Sequence, residues 1–296
     1  MSKQRIRFII NPISGVGSKE QLPNLIATHL DHAIFDHEIT YTEYPKHGKE
    51  LALEASKQGM DIVCAVGGDG SVHEVGTALI GSDTKLAIIP VGSGNGLARH
   101  LNIPTDVVGA IQCINDGHSL AMDTVLVNNN RFLGVAGYGF DAHIAEQFSK
   151  QNRRGLRTYI YLIMREFFKF NPINVSVDLD GKVKSLPVFL CTIANSSQFG
   201  NGFTISPKSD VTDGKIELLL LKPFRFWHLP SLVIKFFRKR SDKTRFSEII
   251  SFKHAKIKVS QSLAQHDGEP INVQKELNIE VVPASLNILV GPRKKI

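Results

Sequence analysis

Over residues 1–120, short apolar runs alternate with segments whose apolar positions recur at helical spacing. Arg5–Ile10 is strand-like and Lys19–Leu30 helical; Ile39–Tyr41 is a second strand and Lys49–Gln58 a second helix. Asp61–Val66 is a buried strand that ends at Gly67-Gly68, and Ser71–Leu79 begins the next helix. Lys85–Pro90 makes a fourth strand, Gly96–His100 opens another helix, and Thr105–Asp116 completes this part. Strands alternating with helices predict a parallel sheet with crossover helices. The glycine-rich turns follow the carboxyl ends of the strands, where open α/β sheets place ligands.

After Gly117 the pattern changes. One helical stretch remains, Leu156–Phe168, and the rest favours strands. Asn174–Leu179 alternates polar and apolar residues, the two-residue period of a half-buried strand. Asp180-Gly181 then supplies a tight hairpin turn, with Lys182–Thr192 as the partner strand. Further strands are expected at Ile216–Leu221, Ile249–Lys253, Ala255–Ser260 and Leu277–Val282. The expectation is an α/β domain over 1–120 and a mainly antiparallel β domain over 121–296.

Composition narrows the class. The three cysteines, Cys64, Cys113 and Cys191, are far apart in sequence and form no Cys-x-x-Cys pair, as expected of reduced core thiols in a cytoplasmic protein. The opening Met1-Ser2-Lys3-Gln4-Arg5 leads straight into a strand, so no signal peptide is expected, and no apolar run reaches the ~20 residues of a membrane span. The eleven histidines show no zinc-binding spacing. The net charge of +7 is local: Lys222–Arg245 holds eight Lys or Arg against one Asp.

Three loops have the chemistry of phosphate sites. They are Asn11–Lys19, with Ser14, Gly15 and Gly17; Gly67-Gly68-Asp69-Gly70-Ser71; and Pro90–Gly96, with Gly92, Ser93, Gly94 and Asn95. Glycine lets backbone approach a ligand closely, and amides at a helix start favour an anion. Ser14, Ser71 and Ser93 add small hydroxyl donors. None of the three is a Walker A loop. Asp69 would repel phosphate unless it organises a cation or accepts a proton; the other role open to it is a helix N-cap or turn.

These residues carry a resemblance. Asn11-Pro12 with Ser14 and Gly15, Gly67-Gly68-Asp69-Gly70-Ser71-x-x-Glu74, and Gly92-Ser93-Gly94-Asn95 with Arg99 resemble the catalytic domain of diacylglycerol and sphingosine kinases. The Gly-Gly-Asp-Gly element is shared with NAD kinases and is similar to phosphofructokinase. The match extends through Asp123, Gly139-Phe140-Asp141-Ala142, Pro207–Gly214 and Asp267-Gly268-Glu269. The resemblance implies a phosphofructokinase/NAD kinase-like α/β domain followed by a β-sandwich-like domain, with the active site in the cleft between them.

It further implies an ATP- and Mg²⁺-dependent lipid kinase, most simply converting diacylglycerol to phosphatidic acid. A sphingoid-base or other lipid kinase, an NAD kinase-like enzyme for a soluble substrate and a non-catalytic nucleotide or lipid sensor are the alternatives. Asn11, Ser14, Gly15, Thr42, Gly68, Gly70, Ser71, Gly92, Ser93, Gly94, Asn95 and Glu269 would surround the nucleotide, and Glu74 would support its loop. Asp267 would be the base, with Asp69 as the alternative base; Asp69 and Asp123 would organise Mg²⁺ through water. Asp267 before Gly268 also has the form of a β-turn. Asp213, with backbone carbonyls of Asp210 and Lys215, is similar to the family's structural Mg²⁺ loop, and an ordinary Asp-Gly turn is the other account of it.

The basic segment interleaves Phe224, Phe226, Trp227 and Phe237 with Lys222, Arg225, Lys235 and Arg238–Arg240, a mixture suited to an anionic membrane surface. A helix over Leu229–Arg240 could instead bury its apolar side in the protein. Arg153, Arg154 and Arg157 form a second basic cluster, with Arg157 a candidate for reaching the phosphates. No nucleic-acid motif accompanies the charge, so peripheral membrane association is expected and nucleic acid is not. The sequence fixes no oligomeric state; a homodimer is allowed.

Overall fold

The apolar runs at the start of the chain become a parallel sheet. The computed structural model describes residues 3–15, 20–151 and 156–292 and, within them, all side chains but those at 156, 157 and 159. It has two units, Met1–Asp123 with Ala284–Ile296, and Thr124–Pro283. The basic cluster of Arg153, Arg154 and Arg157 lies outside the described residues and side chains.

The first unit contains β1 (Gln4–Ile10), α1 (Leu22–His29), β2 (Phe35–Tyr41), α2 (His47–Lys57), β3 (Ile62–Gly67), α3 (Asp69–Leu79), β4 (Lys85–Pro90), α4 (Gly96–His100) and α5 (Val107–Asp116). Its strands pair in the order β2-β1-β3-β4, all parallel. Every residue of β3 is buried, as are Leu86–Pro90 of β4. This is why these strands are continuous apolar runs and not alternating ones. Strand order reverses between β1 and β3, so the loops leaving those two strands flank the switch point of the sheet. The helices start where local chemistry permits. Pro23 stands at the beginning of α1, Asp106 accepts from Gly109 N at 2.8 Å to cap α5, and Gly117 ends α5 at φ +67°.

The second unit opens within β5 (Ser119–Val127) and continues with β6 (Asn130–Phe132), β7 (Val135–Gly139), α6 (Phe140–Ser149), α7 (Leu156–Phe167), β8 (Ile173–Leu179), β9 (Lys182–Val188) and β10 (Leu190–Ala194). Then come β11 (Gln198–Gly200), β12 (Phe203–Thr204), β13 (Ile216–Leu221), α8 (Leu229–Phe237), β14 (Ser247–Phe252), β15 (His254–Val259), β16 (Leu263–His266), β17 (Glu269–Asn272) and β18 (Glu276–Leu289). One sheet runs β18-β15-β8-β9, with β5 pairing β18 and β6; the other runs β14-β13-β10-β7-β16-β17, antiparallel throughout. Val175, Val177, Ile257 and Ile279 from the first sheet share a buried core with Tyr138, Ile193, Leu218 and Leu220 from the second. The other face of the second sheet is covered too: Leu219 and Leu221 join Phe140, Ile144, Leu162, Leu232 and Phe236 from α6, α7 and α8. Burial on both faces explains the four consecutive leucines of β13, Leu218–Leu221. The arrangement is an antiparallel sandwich with a helical layer on one side.

Several elements depart from the sequence pattern. The stretch Lys182–Thr192 is two strands, because the chain changes sheets at Phe189, whose N donates to Leu221 O at 2.7 Å. The motif at Gly139–Ala142 begins the unanticipated helix α6, entered through Gly139 at φ +98°. The second half of β18 returns to the first unit, where Ile288 pairs with Leu86 of β4, so 121–296 is not one continuous unit. The Asp180-Gly181 turn is as expected: both residues have positive φ, +53° and +81°, the geometry of a two-residue hairpin.

Candidate active site

In the first unit the three glycine loops are tied to one another. Asn11 leaves β1 with its N bonded to Val66 O of β3 at 3.1 Å, and its Nδ2 donates to Ser71 Oγ at 3.1 Å in the first turn of α3. Ser14 Oγ donates back to Asn11 O at 2.9 Å, and Gly15 follows at φ +70°. Thr42 stands at the end of β2, its N bonded to Ile10 O at 2.9 Å, and so flanks the first loop. The second and third loops meet backbone to backbone. A Cβ on Gly92 would lie 2.5 Å from Gly68 Cα, and one on Gly68 would lie 3.3 Å from Gly92 Cα. No larger residue fits that seam without moving a loop.

Asp69 binds across the same seam. Its Oδ2 accepts from Asn95 N at 2.8 Å and its Oδ1 from Gly96 N at 2.7 Å, so it caps the start of α4 from another helix. Asn95 takes the left-handed conformation at φ +54°, which Asn tolerates, and its Nδ2 donates to Gly92 O at 2.8 Å. The Asn95 Oδ1 is buried without a hydrogen-bond partner, the kind of acceptor that a ligand donor satisfies. Ser93 is exposed, and Arg99 Nε donates to Gly94 O at 3.2 Å. Gly70 lies in the first turn of α3. Glu74 reaches a different element: its Oε1 accepts from Lys46 N at 3.0 Å, at the entrance to α2.

In the second unit Asp267 and Gly268 are the two central residues of the β16–β17 hairpin, at φ +48° and +90°. The Asp267 side chain leaves this turn for the start of β7. Oδ1 accepts from Gly134 N at 2.7 Å and Val135 N at 3.0 Å, and Oδ2 accepts from Leu133 N at 2.9 Å. A carboxylate offers about four acceptor sites, so three amides hold it rigidly and leave little capacity for further donors. Glu269 begins β17 and is exposed.

The metal candidates do not form a cage. Among the described residues no group of three or more His, Cys, Asp or Glu side chains could hold a metal ion. Asp123 is buried, with Oδ1 accepting from Ala284 N at 2.8 Å. Asp210 Oδ1 accepts from Thr212 N and Oγ1 at 2.9 and 2.7 Å, and Asp213 Oδ1 accepts from Lys215 N at 2.9 Å, so both turn back onto their own loop.

Asp141 was singled out in sequence only as part of a motif. It is buried, and burial pushes its carboxyl up to about 7 against hydrogen bonds from Ala142 N, Gln265 and Thr192. Gln265 Oε1 accepts from Gly268 N at 2.8 Å, so this glutamine joins Asp141 to the Asp267 turn. A Cβ on Gly137 would fall 1.6 Å from Asp141 Oδ2, which accounts for glycine in the middle of β7.

Residues 5–127 match the diacylglycerol kinase catalytic domain, and residues 134–290 match the YegS C-terminal NAD kinase beta sandwich-like domain. A diacylglycerol kinase of Bacillus subtilis is 28% identical over 226 residues, 74% of each chain. One from Staphylococcus aureus (strain MRSA252) is 27% identical over 265 residues, 87% of this chain and 82% of the relative. A crystal structure of a diacylglycerol kinase from Bacillus anthracis str. Sterne shares the fold, with a TM-score of 0.74 at 19% identity over 99% of this chain and 98% of that one. With a catalytic-domain match carrying the glycine loops and a sandwich match carrying the acidic turn, the chain belongs to the diacylglycerol kinase-like family of kinases that phosphorylate an alcohol group.

Proposed function

We propose that the chain transfers the γ-phosphate of ATP to the free hydroxyl of diacylglycerol, giving phosphatidate and ADP. The hydroxyl oxygen bonds to the γ-phosphorus as the bond from that phosphorus to the β–γ bridging oxygen breaks. The hydroxyl proton passes to a carboxylate, for which Asp267 is the candidate. Amides and hydroxyls of Asn11, Ser14, Gly15, Gly68, Gly70, Ser71, Gly92, Ser93 and Gly94 would hold the phosphates, with Thr42, Asn95 and Glu269 around the nucleotide. Magnesium, when bound, offsets phosphate charge, and Asp69 and Asp123 would hold it through water. Positioning and charge neutralisation dominate such transfers, so a rigid cradle matters more than a strong base.

The observation that supports this reading most is the seam of the glycine loops. Gly92 packs on Gly68, and Asp69 binds the amides that open α4, beside the switch point of a parallel sheet. The sandwich match names an NAD kinase-like domain, which favours a soluble acceptor as the rival. Incubating the full chain with labelled ATP, Mg²⁺ and diacylglycerol, sphingosine, ceramide or NAD, each alone, decides between them. Label in phosphatidate is expected. Faster labelling of NAD than of any lipid would overturn the lipid assignment, and ATP binding without transfer to any acceptor would point to a sensor.

A further inference from the structure

The last turn of α7 and the basic segment meet on one surface of the second unit. Phe168 and Phe226 pack at 4.7 Å between ring centroids, and Phe167 contacts Phe224 and Phe226 at 5.5 and 5.4 Å. These contacts connect two stretches of chain that each leave large apolar side chains in solvent. Tyr161, Met164 and Phe168 are 59%, 44% and 70% exposed, and Trp227, Ile234 and Phe237 are 65%, 51% and 49% exposed. The helix α8 is not simply a core helix with a polar outside. Leu232 and Phe236 face the core while Ile234 and Phe237 face water. Exposed apolar groups contiguous over two elements mark an interaction surface.

The rim specifies the partner. Trp227, Pro230, Ser231 and Ile234 line an open groove of about 810 Å³ together with Lys235, Arg238, Arg240 and Lys243, and none of the described residues that line it is acidic. Among the described residues Arg238, Lys239 and Arg240 have no carboxylate partner, whereas Lys243 pairs with Asp242 at 3.7 Å. Arg225 lies over the Trp227 ring at 5.1 Å, which keeps a cation at the level of the indole. Aromatic and aliphatic groups beside uncompensated cations complement a surface that is apolar within and anionic at its face.

We infer that this α7–α8 surface docks the protein on an anionic phospholipid bilayer, with Trp227, Ile234 and Phe168 entering the interface and the groove cations on headgroup phosphates. The inference rests on the lipid-acceptor reading for its purpose, yet it is tested without turnover. Trp227 is the one tryptophan of the sequence, so its emission reports directly on this surface. Adding phosphatidylcholine vesicles that contain phosphatidylglycerol should shift the emission to shorter wavelength, and brominated acyl chains should quench it. Flotation of Arg238→Ala/Arg240→Ala should show vesicle affinity lowered about fivefold per lost charge, about 25-fold together. Trp227→Ala/Ile234→Ser should float poorly, and both variants should phosphorylate short-chain diacylglycerol in detergent micelles within about twofold of the parent. The inference fails if anionic vesicles leave the emission unshifted, if pure phosphatidylcholine binds equally well, or if the arginine variant floats like the parent. DNA binding in place of vesicle binding would assign the groove to nucleic acid and likewise overturn it. A full shift with no lipid phosphorylation would sink the kinase reading and leave the docking surface standing.

Discussion

Replacing Asp267 separates two roles that the structure superimposes on one carboxylate. Three backbone amides, at 2.9, 2.7 and 3.0 Å, converge on its oxygens from Leu133, Gly134 and Val135. A hydrogen bond to a charged group contributes roughly 1.5–3 kcal/mol, and a buried donor left without a partner costs about 1–3 kcal/mol. The three bonds share one side chain, so Asp267→Ala should lower stability by roughly 3–6 kcal/mol, a large part of the 5–15 kcal/mol of an ordinary domain. Alanine is also disfavoured at φ +48°, where Asp and Asn are tolerated. Asp267→Asn keeps Oδ1 for Gly134 and Val135 but presents an NH₂ group to the Leu133 amide, for a loss of roughly 1–3 kcal/mol. Asparagine cannot take a proton, so loss of a general base should lower kcat on the order of 10²-fold with KM for ATP little changed. Urea unfolding and steady-state turnover on micellar lipid measure the two effects separately. An Asp267→Asn enzyme with parental kcat would remove Asp267 from proton transfer. An Asp267→Ala protein as stable as the parent would refute the account of the amide clamp itself.

Gly92→Ala places a methyl 2.5 Å from Gly68 Cα, and calorimetry should show ATP binding weakened at least tenfold for a stability loss of about 1–3 kcal/mol; unchanged ATP affinity would separate the seam from the nucleotide site. Asp69→Ala removes the acceptor of the Asn95 and Gly96 amides and should weaken ATP binding, whereas Asp69→Asn, which keeps one acceptor, should recover most of it. Equal ATP affinity in the two variants would show that the cap is not what matters. Asp141 supplies the pH dependence. Its carboxyl is raised by burial from an ordinary 3.8 to about 7, so between those values the folded state holds a proton that the unfolded chain has released. Stability from this group is therefore complete below pH ~4 and declines as pH rises to about 7, by at most about 4 kcal/mol, then levels off. Asp141→Asn should flatten that slope in urea titrations from pH 4 to 8, and a variant with the parental slope would refute the assignment.

The glycine loops were legible because each is a local event, an apolar strand followed by glycines and then by helical periodicity. The partners of the site residues were not. That Asp69 caps a helix 27 residues away follows from strand order 2-1-3-4, which sets the second and third loops side by side. Asp267 was visible as an acid before a glycine, but its grip on residues 133–135 depends on β16 pairing with β7. Helix α6 escaped notice because it enters through a glycine with no side-chain cap, immediately after a strand. The strand Lys182–Thr192 looked continuous because its apolar and polar content changes gradually, whereas the change of sheet at Phe189 is a tertiary event. The contribution of α7 to the apolar surface likewise required the Phe168–Phe226 contact, between residues 58 apart.

The return of β18 has a consequence for biosynthesis. Ala284–Gly291 pairs with β4 and bonds to the α3–β4 and α4–α5 loops: Gly81 N meets Ser285 O at 2.8 Å, and Gly291 N meets Leu101 O at 3.1 Å. A nascent chain therefore leaves the ribosome with its N-terminal half incomplete until the whole sandwich has been translated, contrary to the usual N-terminal-first order. A truncation or a bulky fusion after residue 283 should harm the part of the protein that was synthesised earliest, and sparing the adjacent sandwich will not rescue it.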